Sequence, residues 1–128
     1  MLAAETPVAI ALHGGAGTIQ RDTMSPELEA TYLAFLDDAV SEGYRQLREG
    51  QSGLDVVVSI IQLMEDSPLF NAGRGAVYTW EGIHELDASI MHGEDLDAGA
   101  IAGVRTVRSP IALARAVMEE SPHVMLAG

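Results

Sequence analysis

The sequence predicts an α+β fold on three observations. Helix-start signals at Ser25-Pro26, Ser52 to Asp55 and Ser109-Pro110 each precede apolar residues at helical spacing. Two β-rich runs flank the turn residues Gly93-Glu94-Asp95. An apolar run, Pro7 to Leu12, opens into the glycine-dense segment His13-Gly14-Gly15-Ala16-Gly17.

Taken in order, Pro7 to Leu12 is expected to be a buried strand that delivers its backbone to a loop. Glycine serves where φ is positive or where a group must approach the main chain closely, so His13, Gly14 and Gly15 are candidate site residues. A tight turn without a role is the other reading. A polar connection, Thr18 to Met24, follows. Ser25 then caps a helix with Pro26 at its first position, where proline's fixed φ and missing N–H fit. Leu28, Tyr32, Leu33, Leu36, Ala39, Val40 and Tyr44 give that helix one apolar stripe, and Gly50 ends it. Ser52-Gly53-Leu54-Asp55 forms a capping box for a second helix running through Val56, Val57, Ile60, Ile61 and Met64 to a stop at Pro68. Its few charges predict burial on more than one side.

Ala76 to Trp80 and Ile83 to Met91 read as strands. Gly93-Glu94-Asp95 is a hairpin turn and Leu96 to Val104 the returning strand. A third helix spans Ile111 to Glu120, and His123 to Leu126 begins a further strand. Met125-Leu126-Ala127-Gly128 stands mid-pattern, with sheet edges and apolar faces left over. The 128 residues are therefore expected to form a single partial domain, a fragment or subunit.

Composition narrows the function classes. The chain is 48% hydrophobic and 20% charged, as globular proteins are. Its 19 acidic residues outweigh 7 basic ones, all arginine, and the net charge of −12 argues against nucleic acid or an anionic membrane as partner. With no cysteine, thiolate chemistry and disulfides drop out, which suits a cytoplasmic protein. No uninterrupted apolar stretch reaches the ~18 residues of a spanning helix. Met1 to His13 lacks the basic leader of a secretion signal.

Serine-elbow and phosphate-loop chemistry find no support, since Gly-x-Ser-x-Gly is missing and the chain has no lysine. The segment His84-Glu85-Leu86-Asp87 with His92 invites a metal reading. On a strand, however, His84 and His92 would share one face while Glu85 and Asp87 point to the other, so a solvated strand is the better account. More informative is Leu63 to Gly75. A helix ends there in a loop with proline, asparagine and two glycines, and carbonyls turned inward at a helix's negative end suit a hard cation. A plain helix stop with water on those carbonyls stays open beside it. Asn71 is the side chain to watch, because an amide in a glycine loop both donates and accepts.

The ordered strings His13-Gly14-Gly15-Ala16-Gly17, Ser67-Pro68-Leu69-Phe70-Asn71-Ala72-Gly73-x-Gly75-Ala76-Val77, His84-Glu85-Leu86-Asp87-Ala88 and Ser121-Pro122-His123-Val124 resemble the plant-type L-asparaginases. These are also isoaspartyl peptidases, within the N-terminal nucleophile hydrolases. The resemblance runs from about Val8 to Gly128 and covers the front part of that family's α subunit.

It implies a four-layer αββα sandwich, of which this chain is the N-terminal part. It implies a self-cleaving precursor whose β subunit begins with a threonine nucleophile, and two αβ units in a heterotetramer. The implied substrates are L-asparagine, giving aspartate and ammonia, and β-aspartyl dipeptides. Carried over by position, His13, Gly14, Gly15 and Asn71 become supporting residues of the active-site loop. Met64, Glu65, Ser67, Phe70, Ala72 and Arg74 become a sodium loop that binds through main-chain carbonyls, with the bulky charge of Arg74 a departure. No catalytic residue is expected in this chain, which alone should be inactive. Gly17-Thr18 comes far too early to be the cleavage site. Alternatives are an aspartylglucosaminidase-like or threonine-aspartase-like specificity, or a non-catalytic binding remnant.

Overall fold

In the computed structural model, residues 7–16 and 23–128 are described. Gly17 and the connection from Thr18 to residue 22 lie outside them. Two compact units divide the chain after Ile60.

The first unit is helical. Helix α1, Pro26–Arg48, starts where the sequence places it: Ser25 is extended and its Oγ accepts the Leu28 N–H at 3.2 Å, satisfying one of the orphan donors of the first turn. It ends in a Schellman arrangement. Gly50, at φ +89°, donates to the Leu47 carbonyl at 3.0 Å, and Gln51 donates to the Gln46 carbonyl at 3.1 Å. Helix α2, Gly53–Glu65, opens with Ser52 Oγ accepting the Asp55 N–H at 3.1 Å and donating to the Asp55 carboxylate at 2.7 Å.

Ala39, Val56 and Ile60 form the buried centre of this unit, and Ile10, Leu12, Phe35 and Leu47 pack on it. Gly43 makes the close approach possible, since a Cβ there would stand 2.5 Å from Ile10 Cδ1 and 3.1 Å from Ile60 Cγ1. The apolar stripe of α1 is only partly covered: Leu28, Leu33 and Tyr44 are exposed, while Phe35 and Leu47 serve the core instead. On α2, Val57 and Leu63 are likewise exposed, while Val56, Ile60, Met64 and Glu65 are buried.

Pro7 to Leu12 is not a strand. A strand requires a neighbour with which to exchange main-chain hydrogen bonds. No described residue before Ile60 supplies one, and Ile10 and Leu12 are held by side-chain packing on helices.

The second unit carries a three-stranded sheet in the order β1–β2–β3, with β1 Leu86–Met91, β2 Ala98–Val104 and β3 Met125–Ala127. Strands β1 and β2 are the hairpin foreseen in the sequence, pairing Ala88 with Ile101 and Ile90 with Gly99. Two steps along β1, from Leu86 to Ala88, match three along β2, so β2 bulges by one residue. There Gly103 has φ +66° and donates to Asp87 Oδ1 at 2.8 Å. At the turn, His92 donates to the Asp97 carbonyl at 2.8 Å, and the left-handed residue is Leu96, at φ +67°, rather than Gly93. Asp95 makes this tolerable, its Oδ1 accepting the Asp97 N–H at 3.2 Å and meeting His92 Nδ1 at 2.8 Å. The Asp97 N–H and then the His92 ring hold the Asp95 carboxyl below its usual range.

Helix α3, Pro110–Glu120, connects β2 to a parallel β3. Its buried residues Ile111, Ala114 and Val117 form this unit's core with Ile90, Ile101 and Val104 of the sheet it packs on. Gly99 lets the helix backbone lie directly on β2, because a Cβ there would stand 2.2 Å from the Ala114 carbonyl oxygen.

Ala76 to Trp80, expected as a strand, is irregular, and β1 begins at Leu86 rather than Ile83. Local bonds absorb its main-chain groups. Thr79 donates to the Ile83 carbonyl at 2.8 Å, Gly82 to the Thr79 carbonyl at 3.0 Å, and Val77 to the side chain of Asn71. Val77, Tyr78 and Trp80 are exposed, Trp80 at 99%. Helices with a small mixed sheet make the described residues α+β, as the sequence indicates. No helix among the described residues is long and apolar enough to cross a membrane.

Candidate functional site

The last turn of α2 buries Met64 and Glu65, and the chain then folds back on itself. Ser67 donates to the Met64 carbonyl at 3.1 Å, Leu69 to Ser67 Oγ at 3.2 Å, Ala72 to the Phe70 carbonyl at 2.8 Å, and Gly75 to the Ala72 carbonyl at 3.0 Å. Ser67 and Phe70 are buried. Two glycines press against the loop's own carbonyls. At Gly73, φ +49°, a Cβ would stand 2.5 Å from the Glu65 oxygen, and at Gly75 one would stand 2.2 Å from the Phe70 oxygen. Met64, Glu65, Ser67, Phe70, Ala72 and Arg74 are thus strung around one tight, carbonyl-rich loop. Each carbonyl has two lone pairs, so one that already accepts an N–H keeps a second. Arg74 is exposed and borders a cavity of about 440 Å³ together with Asp66, Leu86 and Arg108.

Sequence reasoning missed the side chain of Glu65. It is 4% exposed and caps α3: Oε2 accepts from Ser109 Oγ at 2.7 Å and Oε1 from the Ile111 N–H at 2.8 Å. Gln62 Nε2 adds a bond to Ser109 Oγ at 3.2 Å. A signal existed. The first turn of α3 contains no acidic residue of its own, and a helix N-terminus attracts a carboxylate. Nearby, Asp66 pairs with Arg108 at 3.0 Å, which raises the arginine's pKa through its hydrogen bonds.

Asn71 is exposed at the crest of the loop, and its Oδ1 accepts the Val77 N–H at 3.0 Å. His84 lies before β1, so the strand alternation expected to put it on one face with His92 does not apply. Its Nδ1 meets the Val77 carbonyl at 3.2 Å. His92 is engaged with Asp95, Asp87 with the Gly103 N–H and Glu85 with Arg105. Among the described residues no group of three or more such side chains could hold a metal ion.

In the first unit, the Gly15 N–H donates to His13 Nδ1 at 3.1 Å, which places the neutral ring's proton on Nε2. Gly15 is at φ +109°. With Gly14, these residues line a cavity of about 420 Å³ together with Leu12, Tyr32 and Leu36.

A family model described as asparaginase matches residues 6–128. The chain belongs to the asparaginase family. It is 55% identical over 119 residues to an isoaspartyl peptidase of Salmonella typhimurium, an alignment covering 93% of this chain and 38% of that protein. It is 48% identical over 121 residues to a plant-type L-asparaginase of Pyrococcus furiosus, covering 94% and 38%. An isoaspartyl peptidase/L-asparaginase of Xenopus laevis is 44% identical over 117 residues, covering 91% and 36%. This asparaginase-family chain therefore spans less than two fifths of the length of the relatives it matches.

Proposed function

We propose that this asparaginase-family chain is the front part of the α subunit of an amidohydrolase acting on L-asparagine and on β-aspartyl dipeptides. The observation that carries the reading is 55% identity, sustained over 93% of the chain, to an isoaspartyl peptidase. The nucleophile is a threonine at the start of a β subunit cut from the same precursor. Its hydroxyl, deprotonated by its own α-amine, attacks the side-chain carbonyl of the substrate. Ammonia or an amino acid leaves, and water releases aspartate from the acyl-enzyme. In the whole protein the α and β chains build a four-layer αββα sandwich, two αβ units pair into a heterotetramer, and the enzyme is cytoplasmic, a placement that the lack of cysteine suits.

Within this chain, Asn71 offers its amide to the threonine, and His13, Gly14 and Gly15 supply main-chain groups beside it. Main-chain carbonyls of Met64, Glu65, Ser67, Phe70, Ala72 and Arg74 hold a sodium ion. The tight fold enforced by Gly73 and Gly75 over the Glu65 and Phe70 oxygens supports that fit. Such an ion supplies fixed positive charge and holds the loop's shape, and so the position of Asn71. Side-chain identity matters little to carbonyl ligands, and Arg74 points to solvent.

Denaturing intact-mass analysis of the full-length protein, with N-terminal sequencing and an ammonia-release assay, tests the reading. Two polypeptides, one beginning with threonine, together with asparagine hydrolysis are expected. A single uncut, inactive polypeptide would overturn it, as would asparagine hydrolysis by residues 1–128 alone.

A further inference from the structure

We propose that His84 is a positioning residue for Asn71, acting through the main chain of Val77. Val77 is gripped by side chains on both of its main-chain polar groups: its N–H donates to Asn71 Oδ1 at 3.0 Å and its carbonyl meets His84 Nδ1 at 3.2 Å. Those partners fix two assignments. A main-chain N–H can only donate, so the oxygen of the Asn71 amide faces Val77, and the two N–H groups of Nδ2 face elsewhere. A carbonyl can only accept, so His84 carries its proton on Nδ1. The Tyr78 ring lies against the imidazole, with centroids 4.2 Å apart and planes 33° from parallel, and restricts its rotation.

The local chain makes this arrangement necessary. Residues 76–79 belong to no strand, and Val77 and Tyr78 are exposed, so neither a ladder nor core packing holds them. The turn closed by the Thr79 N–H on the Ile83 carbonyl, at 2.8 Å, returns the chain so that His84 meets Val77. The His84 bond takes the place of the missing ladder and keeps the Val77 N–H aimed at Asn71.

The consequence concerns polarity. With Oδ1 turned to the Val77 N–H, Asn71 turns its Nδ2 donors to whatever reacts beside it. Donors suit an oxygen, such as a hydroxyl nucleophile or an oxyanion forming in the transition state, and reject an ammonium group. This deepens the proposed function and rests on its placing of Asn71 in the active site.

The test uses the full-length enzyme with His84→Ala, His84→Asn and Asn71→Ala. In asparagine Nδ2 sits as many bonds from Cβ as Nδ1 does in histidine, so His84→Asn can restore the donor. His84→Ala is expected to lower kcat about fivefold, the rate equivalent of one hydrogen bond, with KM unchanged. His84→Asn should recover most of that loss, and His84→Ala should cost nothing further in an Asn71→Ala background. Amide hydrogen exchange at Val77 should rise about fivefold in His84→Ala. Unchanged kcat in His84→Ala, or losses that multiply in the double variant, would overturn the proposal. If Asn71→Ala itself retains full activity, the active-site reading of Asn71 fails, and Val77 exchange still decides whether His84 holds that segment.

Discussion

Replacing Glu65 by alanine removes the group that joins the end of α2 to the start of α3. The carboxylate accepts two hydrogen bonds, from Ser109 Oγ at 2.7 Å and the Ile111 N–H at 2.8 Å, in a site where the glutamate is 4% exposed. Water has little access there to take over, and Ile111 is 1% exposed, so its N–H would be left buried without an acceptor. Hydrogen bonds to a charged group are worth about 1.5 kcal/mol or more each, which puts the loss near 3 kcal/mol. At a urea slope of about 1.5–2 kcal/mol/M, the midpoint should fall by about 1.5–2 M. Glu65→Gln keeps an oxygen for Ile111 and an amide that can donate to Ser109. It gives up the charge at the helix N-terminus, about 1 kcal/mol or 0.5 M. Urea unfolding followed by far-ultraviolet circular dichroism measures both variants. A Glu65→Ala midpoint within about 0.3 M of the parent, or a Glu65→Gln midpoint as low as that of Glu65→Ala, would refute the argument.

Two glycines should respond differently to a methyl group. Gly99→Ala places Cβ 2.2 Å from the Ala114 oxygen and 2.6 Å from the Met118 nitrogen, so α3 must move and the loss should be about 3 kcal/mol in thermal melts. Gly43→Ala meets the flexible tip of Ile10 at 2.5 Å and Ile60 Cγ1 at 3.1 Å, side chains rather than backbone, and gains helix propensity, so its loss should stay at about 1 kcal/mol. Glu42 is held down to about 2 by its hydrogen bonds to Arg45 and then Gln46. A depressed folded-state pKa means the pairing favours the fold above the ordinary value of 4.5 and is lost as pH falls towards 2. Glu42→Gln should therefore weaken α1 at pH 7 and match the parent below pH 2, and a Glu42 carboxyl signal titrating near 4.5 by NMR would contradict it.

What was legible in the sequence was what local chemistry decides. Ser25-Pro26, Ser52 to Asp55 and Ser109-Pro110 start helices because the capping atoms lie within three residues of the groups they satisfy. The β1–β2 hairpin follows from alternation around a short turn. Tertiary choices were not legible. Pro7 to Leu12 has strand composition but packs through Ile10 and Leu12 onto helices, and Ala76 to Trp80 gives its main-chain bonds to a turn and to Asn71. The loop residues 64–75 could be located from helix-end and glycine signals, whereas the turn of Glu65 towards α3 depends on a helix more than forty residues later, as does the pairing of Asp66 with Arg108.

The sole tryptophan of the chain is Trp80, fully exposed on the irregular segment before β1. Its indole already stands in water in the folded chain, so unfolding should scarcely change its emission. Any surface that settles over residues 77–80 would move that emission to the blue. The chain thus carries a native fluorophore that is silent to its own folding and responsive to the covering of one defined spot, nine residues from Asn71 and four from His84 in sequence.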